Sequence, residues 1–100
     1  MSLIIETLEN NKLYVKYTGK INIENSNDIK TSIEEKLGNV KELIFDFSEV
    51  SYISSAGLRM IHLIYKTLIE QNGSLYIKNP NKDVRNVFEI SGFQTFLNII

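Results

Sequence analysis

The chain has no cysteine and no tryptophan, and one proline and one histidine in 100 residues. Without cysteine there is no disulfide and no thiolate-based zinc site, and the expected compartment is a reducing one, the cytoplasm. A lone histidine, His62, cannot build a histidine-rich metal cluster, and a Ser–His–acid triad would have to recruit this one ring. No apolar run approaches the ~20 residues needed to span a bilayer, and the first residues, Met1 to Glu6, lack the basic and apolar regions of a signal peptide. A net charge of -1 gives no basic face for nucleic acid. P-loop and dinucleotide-binding fingerprints are missing, Ser54 and Ser55 are not framed as G-x-S-x-G, and the carboxylates form no acid–base pair. The sequence therefore argues against an enzyme and calls for no cofactor or metal. With no Gly/Pro-rich linker and no repeat, residues 1–100 are expected to form one domain.

Hydrophobic residues make up 43% of the chain, enough for one modest core. Leu3 to Leu8 reads as a strand, Asn10-Asn11 as a turn, and Leu13 to Thr18 as an alternating strand that Gly19 ends; together they make a hairpin. A helix is expected from Asn25, whose side chain would cap it, with Asp28 at its positive end. Ile29, Ile33 and Leu37 form its apolar stripe, and Gly38 is the stop. Leu43 to Phe47 is a strand dense enough in apolar residues for burial on both faces. A long helix covers Leu58 to Gln71, Asn72-Gly73 closes it, and Leu75 to Ile77 is a further strand. Asn79 and Pro80 are expected to cap and open a third helix, with Val84, Val87 and Phe88 inward, Gly92 as stop and a closing strand in the tail. The fold class is α/β: a mixed, mostly parallel sheet of four to five strands with about three helices on one or both faces.

Two places on this framework draw attention. At about 100° per residue, His62 falls within the apolar arc of Leu58, Ile61, Tyr65, Leu68 and Ile69, which makes it a core or core-edge residue. Ser54-Ser55-Ala56-Gly57 lies between a buried strand and the long helix, at the carboxyl end of a strand and a helix N-terminus, where a phosphate on a hydroxyl is well accommodated. The same residues also suit a plain N-cap and a close helix–sheet approach, and on physical grounds alone the cap comes first.

The segment Asp46-Phe47-Ser48-Glu49-Val50-Ser51-Tyr52-Ile53-Ser54-Ser55-Ala56-Gly57-Leu58 resembles the central motif of bacterial anti-sigma factor antagonists, the stand-alone members of the STAS family. Tyr17 to Ile21, Asn72 to Leu75 and Val84 to Phe93 extend the likeness over nearly the whole chain. The resemblance implies that Ser55 is phosphorylated by a serine kinase that is itself the anti-sigma factor. It also implies that a metal-dependent serine phosphatase reverses this, and that the unphosphorylated form binds the anti-sigma factor and frees the sigma factor. Asn22, Asp46, Ser54, Ala56 and Gly57 would adjoin the site. Ser54 stands where the family often has Asp, and Asn22 where it usually has an acidic residue. The chain ends at Ile100, where many relatives continue into another helix, so its closing strand is expected to be less covered. Leu58, Arg59, Met60, Leu63 and Thr67 are assigned to the partner surface; the last four lie about 100° to 200° from Leu58, on what the periodicity makes the wet side. The competing expectation is a constitutive scaffold or ligand-binding subunit of a transporter or sensory complex, with Ser55 only a cap.

Overall fold

The computed structural model describes residues 2–100. The hairpin forms as expected: β1 (Ser2–Leu8) pairs antiparallel with β2 (Lys12–Ile21) across Asn10 and Asn11, both with positive φ. Helix α1 (Ser26–Glu34) leads to β3 (Glu42–Asp46). A further strand, β4 (Val50–Ile53), precedes α2 (Ser55–Glu70), β5 (Ser74–Lys78), α3 (Lys82–Ser91), a short 3-10 turn over Phe93–Thr95, and β6 (Asn98–Ile99). The six-stranded sheet runs in the order β1-β2-β3-β5-β6, with every pair but the first parallel and β4 attached to the end of β2.

The strand order settles where the helices lie. From β2 to β3, β3 to β5 and β5 to β6 the chain always steps in one direction, and right-handed crossovers then place all three helices on one face. Under them Leu13, Val15, Leu43, Phe45, Leu75 and Ile77 are fully or almost fully buried, and meet Ile29 and Ile33 of α1, Ile61, Ile64 and Leu68 of α2, and Val84 and Phe88 of α3 in a single core. Each such side chain contributes roughly 1.5 to 3 kcal/mol relative to an exposed one. The opposite face carries Tyr14, Ile44 and Tyr76 in register on adjacent strands, each half-buried. The expected burial of β3 on both faces is thus incorrect: its residues alternate until Asp46, because no helix covers Ile44.

Several boundaries move for physical reasons. Gly19 does not end β2. Pairing with β3 ends at Lys16; Gly19, with φ 122, opens the pairing with β4 opposite Val50 and marks the register shift after which β2 continues beside β4 to Ile21. Asn25 occupies the N-cap position of α1, but its side chain does not cap the helix, because Oδ1 accepts from the Asn22 N–H at 2.9 Å instead. Helix α1 stops at Glu34, short of Gly38, and Leu37 stays buried from the turn that follows. The cap of α3 is Asn81, whose side chain accepts from the Val84 N–H at 2.8 Å, so Asn79 and Pro80 lie before the helix.

Candidate functional site

The end of β2 beyond Gly19, strand β4, the first turn of α2 and the β2–α1 loop converge at one end of the sheet. Ser54 is fixed there three ways. Its N–H donates to the Ile21 carbonyl at 2.9 Å, its carbonyl accepts from the Leu58 N–H at 3.0 Å, and its hydroxyl accepts from the Gly57 N–H at 3.3 Å. Ser54 is therefore the N-cap of α2. Gly57 is buried so tightly that a Cβ would lie 2.6 Å from Ile53 Cγ1, which seats the helix on the strand ends. Ser55, the first residue of α2, is exposed between these two fixed points, and no acidic residue occupies the first turn of the helix.

Asn22 follows Ile21 directly and so adjoins Ser54. Its side chain is occupied within the loop, its carbonyl oxygen accepting from the Glu24 N–H at 3.0 Å. Asn25 completes the clasp by donating to the Tyr17 hydroxyl and the Lys20 carbonyl at 3.1 and 2.8 Å. The loop so held carries Ile23, 81% exposed, two residues after the Ile21 whose carbonyl accepts from Ser54. The sequence reading passed over Ile23, and a hydrophobic residue between two loop asparagines was the available signal.

Asp46 does not join this group. It pairs with Lys16 on β2, whereas Ile53 pairs with Ile21, five residues or about 16 Å further along the strand. The Asp46 carboxylate accepts from the Tyr14 hydroxyl at 2.5 Å on the open face of the sheet and from the Ser48 N–H at 2.9 Å, which holds the turn into β4. Burial pushes the Asp46 carboxyl up, but these hydrogen bonds and Lys16 outweigh it and leave it below the usual carboxylate range. The hydrogen bond to Asp46, followed by burial and the charges of Asp46 and Glu6, pushes the Tyr14 phenol up to about 12. The role of Asp46 is structural, at a distance from the serines.

The expected partner surface on α2 divides. Arg59 is exposed, Leu58, Leu63 and Thr67 are half-buried, and Met60 is buried with 2% exposure. Periodicity referred to a single core placed Met60 in water, but α1 packs along the second side of α2. Met60 forms the floor of a shallow groove of about 120 Å³, lined by Ser26, Asn27 and Lys30 of α1 and by Ala56, Arg59 and Leu63 of α2. The same displacement of the apolar arc corrects His62 and Ile69, both exposed; the His62 ring lies edge-on to Phe96 at 6.0 Å. Among the described residues no group of three His, Asp or Glu side chains could hold a metal ion, and no helix is long and apolar enough to cross a membrane.

An exposed serine thus opens a helix that a capping serine and a glycine lock to the sheet, in a chain whose sequence is that of a STAS domain. The sequence matches that family over residues 2–100, and the chain belongs to it. It is 34% identical over 76 residues to BtrV of Bordetella bronchiseptica, a candidate anti-sigma factor antagonist, a match spanning 75% of this chain and 66% of that protein. It is 25% identical to the anti-sigma-B factor antagonist of Staphylococcus aureus, over 99% of this chain and 94% of that one. The fold is that of the anti-sigma factor antagonist SpoIIAA from Bacillus. At 20% identity and 99% coverage of this chain, the unphosphorylated form superimposes with a TM-score of 0.87 over 88% of its own length, and the phosphorylated form with 0.78 over 91%.

Proposed function

We propose that this chain is an anti-sigma factor antagonist, a binding module without catalytic activity that is switched by phosphate on Ser55. Its partner is an anti-sigma factor that is also a serine kinase. The unphosphorylated form docks on that partner and releases the sigma factor. The kinase transfers the γ-phosphoryl group of a nucleoside triphosphate to the Ser55 Oγ, which loses its proton as the diphosphate leaves. A metal-dependent serine phosphatase hydrolyses the ester and restores the docking form. The proposed setting is the cytoplasm.

The observation that carries this reading is the division of labour between adjacent serines. Ser54 is held in place as the cap of α2, while Ser55 is exposed and not required for capping. A scaffold in which Ser55 served only as a cap loses its main support, because the cap is the neighbouring residue. The docking surface extends from Ser55 to Ile23 on one side and to Arg59 and Leu63 on the other, with Ala56 and Gly57 shaping the turn between. The test is to capture the partner from the native cell, incubate it with this protein and ATP, and locate the phosphate by mass spectrometry. Phosphate on Ser55, absent from Ser55→Ala, supports the reading; a partner with no kinase activity, or phosphate on Ser54, overturns it.

A further inference from the structure

The two basic residues that line the groove beside the start of α2 are unevenly committed. Lys30, across the groove on α1, is paired with Glu34 at 3.1 Å. Arg59 is exposed, and the only ion pairs among the described residues are Lys30–Glu34 and Lys12–Glu42, neither of which involves it. Arg59 stands four residues after Ser55 on the same helix, so the two side chains share one face a single turn apart. Helical side chains slope toward the N-terminus, which directs the guanidinium back over the turn that carries Ser55. A planar guanidinium with paired N–H donors matches the oxygens of a phosphate.

We propose that Arg59 is the intramolecular receptor for phosphate on Ser55, and that phosphorylation thereby alters the α1–α2 groove as well as the serine. This rests on the reading of Ser55 as the modified residue. In the unphosphorylated protein Arg59 lines the groove beside Ala56 and Leu63, where it is available to an acidic group of a partner. Once the phosphate is present, the guanidinium turns toward it and is withdrawn from that surface. The modification thus adds a dianion at one end of the docking surface and cancels a cation one helical turn away, so a single ester changes two adjacent points of the interface.

The contact can be tested without a partner. Phosphoserine is placed at position 55 by genetic encoding, and the second ionisation of its phosphate is followed by phosphorus NMR at low ionic strength. Wild type is compared with Arg59→Ala, Arg59→Lys and Lys30→Ala. The helix N-terminus acts on the phosphate in every variant, so the differences isolate the side chains. Arg59→Ala should raise that pKa by about 0.3 unit, the size expected of an exposed ion pair one turn apart. Arg59→Lys should restore part of the shift, Lys30→Ala should change it less, and 1 M salt should abolish the difference. Thermal melting of the unphosphorylated variants should match wild type, because Arg59 is exposed. An unchanged phosphate pKa in Arg59→Ala overturns the proposal, as does a larger response to Lys30→Ala. Should the native kinase leave Ser55 untouched while the encoded phosphate still responds to Arg59, the reading of Ser55 fails and the contact stands.

Discussion

A methyl group on Gly57 would lie 2.6 Å from Cγ1 of Ile53 and 2.8 Å from Cγ2 of Ile21, closer than carbon atoms can approach. Both neighbours are buried β-branched residues whose Cγ atoms move only with the backbone or a change of rotamer. Gly57→Ala is therefore expected to cost about 1 to 3 kcal/mol, as overpacking of a core does. The denaturant midpoint should fall with little change in slope. Because the displaced turn carries Ser54 and Ser55, the kinase should also modify this variant more slowly.

The two serines should respond differently to the same substitution. Ser54→Ala removes the hydroxyl that accepts from the Gly57 N–H, and loss of such a cap costs about 1 kcal/mol. Ser55→Ala removes an exposed hydroxyl and should stay within about 0.5 kcal/mol of wild type. Equilibrium urea unfolding of the pair distinguishes the roles: equal losses would mean that the cap is shared.

Stability should depend on pH through Tyr14 and Asp46. The Asp46 carboxyl titrates below its ordinary value in the folded protein, so its contribution is present above the unfolded pKa of about 3.9 and is lost as pH falls through the folded value. The Tyr14 phenol is pushed up to about 12. Its contribution is complete below the unfolded pKa of about 10 and is lost as pH rises from there through the folded value. Tyr14→Phe should cost about 1 kcal/mol at neutral pH. It should also flatten the loss above pH 10, and Asp46 should titrate nearer the ordinary range. Urea midpoints across pH for the two proteins, with a carboxyl titration by NMR, check each sign.

Much of this was legible in the sequence because the relevant signals are local. The hairpin follows from Asn10-Asn11 between apolar segments, and the long helix from the spacing of Leu58, Ile61, Tyr65 and Leu68. What escaped was set by neighbours. Met60 is buried because a second helix covers its side of α2, and His62 is exposed because that contact shifts the apolar arc. Periodicity reports one buried face and cannot register two. The Val50–Ile53 strand carries no alternating pattern of its own, and its partner is the far end of β2 around the irregularity at Gly19, a distant residue. At the site, the resemblance and the physics together singled out Ser54 and Ser55. Only the hydrogen bond to the Gly57 N–H divided capping from exposure between them. Asp46 was grouped with the serines through proximity in the motif, and the sheet register places it elsewhere.

The mode of switching makes the most demanding prediction. A phosphate on Ser55 adds about -1.5 to -2 charges at neutral pH. In this fold it meets the start of α2, where no acidic side chain opposes it, and Asn22, which is occupied within its own loop and carries no charge. A negative charge in that position favours the helix by roughly 0.3 to 1 kcal/mol. Phosphorylation should therefore leave the fold intact and act on the complex, where a hydrated anion would have to be packed against the partner. Ser55→Asp supplies the charge in reduced form. Its melting temperature should stay within a few degrees of wild type, since an exposed substitution costs less than about 0.5 kcal/mol. Its affinity for the anti-sigma factor should fall at least about tenfold, equivalent to 1.4 kcal/mol, whereas Ser55→Ala should bind as tightly as wild type and resist inactivation. Calorimetric titration of the three proteins, alongside their melting curves, separates the cases. A phosphorylated protein that melts far lower or loses its circular dichroism would make this a folding switch, and tight binding by Ser55→Asp would remove charge as the agent.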